Sequence, residues 1–253
     1  MGFIKFLGTA GARFVMLKQL RASGGLWINY KDENILIDPG PGALIRALNS
    51  KPKLEPQKLT GLILTHKHLD HSNDINLMIE AMTEGGFKKR GSLFAPKDAF
   101  GKGGVIFDYL VEFPKRVSYL EVGKFNIGDF EFEVPTLMKH PVQTYGLKFQ
   151  MDKYLISLIT DTEYFDDLIT YYKADILIIN VVFLKRRETV KHLCLEEAKK
   201  LISSIRPRKV ILTHFGMTML KAKPHSLEEV LTKELRVEVK CAYDGMKLDF
   251  NTS

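Results

Sequence analysis

Cysteine is almost missing from this sequence: Cys194 and Cys241 are the only two in 253 residues, and they lie far apart. Two thiols cannot make a disulfide framework, which fits a reducing compartment, and neither belongs to a cluster with metal-ligand spacing. Long apolar runs are missing too. None reaches the roughly 20 residues that would span a bilayer, and the first residues show no charged leader ahead of an apolar stretch. The expectation is a cytoplasmic protein with no membrane partner. The polar bias of disordered chains is also lacking, since 45% of the residues are hydrophobic. At 253 residues the chain can bury a core and hold a rigid site, and it reads as one domain, 1–253, made of two halves of similar grammar, about 1–130 and 131–253.

Acidic charge is in the minority. The formal net charge is +7, with basic clusters at Lys88, Lys89 and Arg90, at Lys185, Arg186 and Arg187, and at Arg206, Arg208 and Lys209. Each cluster alone is ordinary solvated surface. The overall excess would draw an anionic substrate, either a small molecule or a short nucleic acid, and assembly into a homodimer stays open.

Histidine, by contrast, is concentrated. Three of the seven histidines fall within residues 64–71, Leu-Thr-His-Lys-His-Leu-Asp-His, where an apolar run ends and His66, His68, Asp70 and His71 crowd together. Side chains alternate along an extended segment, so His66 and His68 point the same way, while a turn at Asp70 and His71 aims those two elsewhere. Two ions suit this better than one. Imidazole nitrogen and carboxylate oxygen fit zinc, and a site without thiolates leaves manganese or iron open. A solvated, histidine-rich turn is the bland alternative. Its weakness is position: the cluster stands directly behind a strand-like run, 59–65, and ahead of a helix start at Ser72 or Asn73.

Taken in order, residues 2–7 alternate as a short strand that Gly8, Thr9, Ala10 and Gly11 break, and a loop follows through Arg13, Lys18 and Arg21. Residues 26–30 and 34–38 read as paired strands ending at Asp38, and 43–48 as a short helix. After the histidine cluster, Ile75, Met78, Ile79 and Met82 recur at helical spacing until Gly85. Residues 93–96 form a further strand, 97–114 a lid-like loop or short helix, and 117–122 and 126–135 strands with turns at Gly123 and Gly128-Asp129. The first half's grammar then returns. His140 follows a strand, residues 146–150 and 154–160 pair, and Asp161 stands where Asp38 stood. Residues 164–172 look helical, 174–184 a buried strand, 195–205 an amphipathic helix, and 209–213 a buried strand ending in His214. A helix over 227–235 and edge strands within 237–250 close the chain. Sheet followed by helix in each half predicts two packed sheets with helices outside, a four-layer α/β sandwich.

His140, Asp161 and His214 each lie past a strand-like run, where a sandwich brings distant loops to one rim. Singly they could be hydrogen-bonded core histidines and a helix cap; jointly with the cluster they make seven candidate ligands. The H-x-H-x-D-H pattern of residues 66–71, with the Gly-Thr opening, Ile37-Asp38-Pro39-Gly40, Thr160-Asp161-Thr162 and Thr213-His214, resembles the metallo-β-lactamase superfamily over nearly the whole chain. That resemblance implies a metallo-β-lactamase-like αββα sandwich, with His66, His68 and His140 on one divalent ion and Asp70, His71 and His214 on a second. Asp161 would bridge them, and a hydroxide between the ions would be the nucleophile. Asp38 would fix the ring of a ligand histidine, in competition with simple turn capping before Pro39.

His225 shows no partner and reads as exposed. His192 stands at a helix start behind a basic loop, in a segment that resembles the phosphodiesterase branch, including ribonuclease Z and cyclic phosphodiesterases. The resemblance implies that His192 pairs with Asp70, is held as an imidazolium, and protonates the leaving oxygen of a phosphodiester; a helix N-cap neighbour is the alternative. Ribonuclease Z carries a tRNA-gripping arm between the third-histidine motif and the bridging aspartate, where only twenty residues stand here. The cyclic phosphodiesterases carry a cysteine-rich zinc site that residues 13–21 lack. A lactonase or other ester hydrolase, and a metal-bound binding protein without turnover, are the competing functions.

Overall fold

The computed structural model describes residues 2–250. The first strands are β1 (Gly2–Phe6), β2 (Leu26–Tyr30), β3 (Glu33–Ile37), β4 (Gly61–Ile63), β5 (Ser92–Ala95) and β6 (Arg116–Tyr119). They are followed by β7 (Gly123–Ile127), β8 (Phe130–Val134), β9 (Leu147–Met151), β10 (Tyr154–Ile159), β11 (Ile176–Asn180), β12 (Lys209–Thr213), β13 (Glu238–Cys241) and β14 (Lys247–Phe250). The helices are α1 (Ala12–Leu17), α2 (Ala43–Leu48), α3 (Leu69–Ser72), α4 (Ile75–Thr83), α5 (Leu168–Tyr171), α6 (Leu195–Ile205), α7 (Met217–Lys221) and α8 (Pro224–Leu235). One seven-stranded sheet runs β14-β1-β2-β3-β4-β5-β6 and the other β13-β12-β11-β10-β9-β8-β7.

The alternation of side chains along each strand builds the layers. In β11, Ile176 and Ile178 face the other sheet, while Leu177 and Ile179 face the helices. In β12, Ile211 points inward while Val210 and Leu212 join Leu201, Ile202 and Leu231 beneath α6 and α8. Ile63 of β4 likewise lies between the sheets, and Leu62 packs under α2 and α4 with Ala47, Ile75 and Met78. Strands buried on both faces read as continuous apolar runs, which is how the interior strands look in the sequence. The result is the expected α/β sandwich of two mixed sheets between helical layers.

The turn at Gly128 and Asp129 joins β7 to β8 as antiparallel neighbours, and so short a turn holds both strands in one sheet. The change of sheet therefore falls between Tyr119 and Gly123. The chain also returns at its end, where β14 pairs with β1. Residues 12–17, expected as loop, are the helix α1; of its apolar side chains Val15 is buried while Phe14 and Leu17 are exposed, so no core-facing stripe marked it. Within residues 164–172 only Leu168–Tyr171 is helical. Residues 97–114 hold two 3₁₀ turns, Lys97–Ala99 and Asp108–Glu112. Asn76 of α4 pins that segment through Val105 O and Phe107 N, at 2.8 and 3.0 Å. No helix among the described residues is long and apolar enough to cross a membrane.

Candidate metal centre

Strand direction brings the polar residues together. Strand β3 pairs in parallel with β4, and β10 with β11 and β11 with β12, so their carboxyl ends open on one rim. The residues just past those ends are Asp38, Thr65 and His66, Asp161, and His214, while Asn180 ends β11 itself. The carboxyl end of parallel strands is the usual place for a ligand in α/β folds. Asp38 and His214 both take left-handed backbone, with φ of 55° and 60°, a conformation that costs a non-glycine residue about 1–3 kcal/mol and turns the chain sharply at the rim. Two glycines permit the close packing around them. A Cβ on Gly11 would lie 1.9 Å from the His214 carbonyl oxygen, and one on Gly40 would lie 2.0 Å from that of Asp70.

Four overlapping groups of donor atoms result, and two of them, Asp38 with His66 and His71 and His140 with Asp161 and His192, share residues with the two main ones. His66, His68 and His140 offer ring nitrogens that all lie within 4.8 Å of one another, and Asp70, His71, Asp161 and His214 form a second such group. In the first, His140 Nε2 is 3.0 Å from His68 Nδ1. In the second, His71 Nε2 is 3.3 Å from His214 Nε2, and Asp161 lies among the rings with Oδ1 3.4 Å from His214 and Oδ2 3.4 Å from His71. Asp161 Oδ2 is also 3.7 Å from His66 Nε2, so its two oxygens face both groups.

Hydrogen bonds at the far ring nitrogens fix the tautomers. His71 Nδ1 donates to Asp38 Oδ2 at 2.9 Å, and His140 Nδ1 donates to the Lys191 carbonyl at 2.9 Å, which turns the Nε2 lone pair of each ring into its group. Asp38 also accepts from Thr65 N and Thr65 Oγ1, both at 2.7 Å. With its proton so engaged, the Thr65 hydroxyl can accept from His66 Nδ1 at 3.2 Å, leaving the lone pair on His66 Nε2. That nitrogen is buried without a hydrogen-bond partner. A buried polar atom aimed at other lone pairs is costly unless something positive sits among them.

Electrostatics agrees with such a use. Burial lowers the pKa of His66 well below its ordinary value, lowers that of His68, and brings His140 to about 4, so these rings present lone pairs at neutral pH. Burial would lower His71 as well, but the carboxylates of Asp70, Asp161 and Asp38 overcome it and hold the ring well above the ordinary value, so an ion has to displace the Nε2 proton of that ring to use its lone pair. Burial would raise Asp161; the rings of His214, His192 and His71 prevail and keep it ionised. Nitrogen and oxygen donors in this arrangement fit zinc or another divalent ion, and the absence of sulfur speaks against softer metals.

His192 differs from its expected setting. Its Nδ1 lies 3.5 Å from Asp161 Oδ2, so Asp161 and not Asp70 is its nearest carboxylate partner, because the loop entering α6 delivers the ring beside His140. Burial outweighs the carboxylates and lowers its pKa, where a held imidazolium was expected. His225, expected without a partner, bonds Glu228 Oε1 through Nδ1 at 3.0 Å, as residues three apart on α8 can. Sequence reasoning missed Asn180, whose Nδ2 donates to Asp161 Oδ1 at 2.8 Å, and Thr65. Each is a polar residue at the end of an apolar strand, the same signal that marked Asp161 and His214.

Two mixed sheets between helices, with histidines and aspartates gathered at one rim and able to hold metal, define a metallo-hydrolase of the α/β sandwich class. The chain belongs to the metallo-β-lactamase superfamily: residues 33–215 match the Beta-lactamase superfamily domain. It is 29% identical to the uncharacterized protein MJ1374 of Methanocaldococcus jannaschii, over 97% of this chain and 94% of that one. It is 36% identical to the ribonuclease Z of Thermococcus kodakarensis, but over only 38% of this chain and 29% of that enzyme. Among solved structures, the metallo-β-lactamase fold protein YhfI of Bacillus subtilis superposes with a TM-score of 0.78 at 21% identity, covering 98% of each chain, a likeness of fold alone.

Proposed function

We propose that this chain is a dinuclear metal-dependent phosphodiesterase. The observation that carries the proposal is the position of Asp161, whose two oxygens face the two donor groups from a fully buried carboxylate. His66, His68 and His140 would hold one divalent ion, Asp70, His71 and His214 the other, with Asp161 shared between them. Zinc is the first choice, with manganese and iron as alternatives. Two such ions, when bound, supply Lewis acidity toward phosphate oxygens and activate water.

The rest is done by the chain's own groups. Asp38 holds His71 directly and His66 through the Thr65 hydroxyl, and Asn180 holds Asp161 Oδ1, so the donors keep their aim without help from substrate. His192, outside both main donor groups, moves the proton to the leaving oxygen. Its partly buried ring is neutral by itself, and an anionic phosphate beside it favours the protonated form, since an opposite charge stabilises an imidazolium. The ribonuclease Z likeness and the net charge of +7 support a phosphodiester over a neutral ester.

Parallel initial rates of metal-replete protein on bis-p-nitrophenyl phosphate and on neutral lactones test the choice. Faster diester cleavage is expected. Fast lactone opening without diester cleavage would make the chain a lactonase, and inertness toward both would make it a binding protein.

A further inference from the structure

The Gly-Thr opening and the turn between β13 and β14 supply no donor atom to either main group, yet both lie on the metal rim. Strand β13 runs parallel to β12, so its end carries residues 242–246 to the side where β12 delivers His214. There Asp244, its side chain only 19% exposed, receives donors from three other segments. Its Oδ1 accepts from Thr9 N at 2.9 Å and from Thr9 Oγ1 at 2.7 Å. Its Oδ2 accepts from Ala22 N at 2.8 Å and from Nη2 of Arg46, on α2, at 3.3 Å. Arg21 braces the same junction: its Nη1 donates to Thr9 Oγ1 and to the Ala242 carbonyl, each at 2.8 Å, and its guanidinium lies over the Phe215 ring.

The two loops fastened in this way are the ones that press on the donors. Phe215 N donates to Thr9 O at 2.9 Å and Gly11 N donates to Phe215 O at 3.0 Å, so residues 9–11 lie along the residue that follows His214, with Gly11 against the His214 carbonyl. The other loop acts through Ser23. A Cβ on Gly40 would lie 2.1 Å from the Ser23 carbonyl oxygen, on the residue that also abuts the Asp70 carbonyl. A carboxylate has about four lone-pair sites, and here four donors take them, with one oxygen serving each loop. No neutral side chain can replace it donor for donor.

We propose that Asp244 is a positioning residue for the ion of the second group, acting through Thr9 and Ala22 on the loops that fix His214 and Asp70. The proposal rests on the reading of that group as a metal site. Donors left free to wander must be ordered when the ion binds, and that cost is subtracted from its affinity. His140 of the first group is held by the Lys191 carbonyl instead, so the effect falls on one ion and not on both.

The test measures zinc affinity by competition with a chelator in wild type, Asp244→Asn, Thr9→Val and Thr9→Ser, together with the thermal midpoint of each metal-free protein. Asp244→Asn sets an N–H donor where an oxygen accepted, and Thr9→Val removes the hydroxyl with little change of shape. Both should weaken one ion roughly tenfold, the low end of what outer partners of metal ligands contribute, and leave the other at its wild-type affinity. Thr9→Ser should match wild type. Adding Asp244→Asn to His140→Ala, which would keep only the ion of the second group, should weaken that remaining ion equally. If Asp244→Asn does not fold, the Thr9 pair decides alone. A lower midpoint with both affinities unchanged, or equal weakening at both ions, would make Asp244 a general fastener of the fold and overturn the proposal. If wild type binds a single ion, the shared-centre reading fails on stoichiometry, and the affinity of that ion in Asp244→Asn still decides the role of Asp244.

Discussion

The two donor groups at the rim are built to different standards of rigidity. His66, His68 and His140 offer nitrogen alone; only His66 is fully buried, and His140 hangs from a loop held by the Lys191 carbonyl. Asp70, His71, Asp161 and His214 include two carboxylates, and behind them stand Asp38 and Asn180, both buried and both hydrogen-bonded, while Thr65 ties Asp38 to His66 of the first group. Gly11 and Gly40 press the backbone against His214 and Asp70, and His214 is itself fixed in left-handed conformation. Donors set in place before an ion arrives give up less freedom on binding it. The mixed group should therefore keep its ion longer than the all-nitrogen group when a chelator is added.

The strongest way to break this comparison is to remove what the groups share. Asp161→Ala should lose both ions and bring turnover to background, as measured by elemental analysis and by rates on bis-p-nitrophenyl phosphate. If that variant keeps one ion tightly and some activity, Asp161 serves one group and the bridge is wrong. His140→Ala sharpens the contrast from the other side. It should cost the ion of the all-nitrogen group and leave close to one ion per chain, whereas loss of both would mean that the groups are not separable.

His192→Ala should leave both ions in place while lowering turnover of an alkyl phosphodiester by roughly 10²–10⁴-fold, the range of a general acid. A nitrophenyl ester needs less protonation and should suffer much less. Equal losses on both substrates, with metals retained, would make His192 a positioning residue.

Asp38→Asn is the mildest change, because asparagine also tolerates left-handed backbone, so the variant removes charge without forcing the turn to move. It should weaken metal affinity by about 10–100-fold, the usual cost of removing an outer hydrogen bond to a metal-ligating histidine. The comparison predicts that this loss falls mainly on the ion held by His71. An equal loss at both ions would show that the Thr65 hydroxyl carries the effect to His66 as strongly as the direct bond does to His71.

The sequence was most legible where composition and period act together. Residues 195–205 show an amphipathic stripe that becomes α6 with the same bounds, and the apolar runs before His66, Asp161 and His214 become strands whose ends meet. Where periodicity was absent the reading failed. Helix α1 buries Val15 and leaves Phe14 and Leu17 in solvent, so local pattern carried no trace of it. The partner of His192 was illegible for another reason. Its distance to Asp161 is set by how the loop from β11 enters α6, a tertiary matter that no spacing in the chain encodes. Asn180 and Thr65 carried the strand-end signal, but as neutral residues they drew no attention beside histidine and aspartate.

The most direct test of the central claim is metal stoichiometry followed through stepwise chelation. Purified protein saturated with zinc or manganese should hold close to two ions per chain and release them in two separate steps. Activity should fall with the first. A chain that binds one ion at saturation with full activity would contradict the shared centre at Asp161.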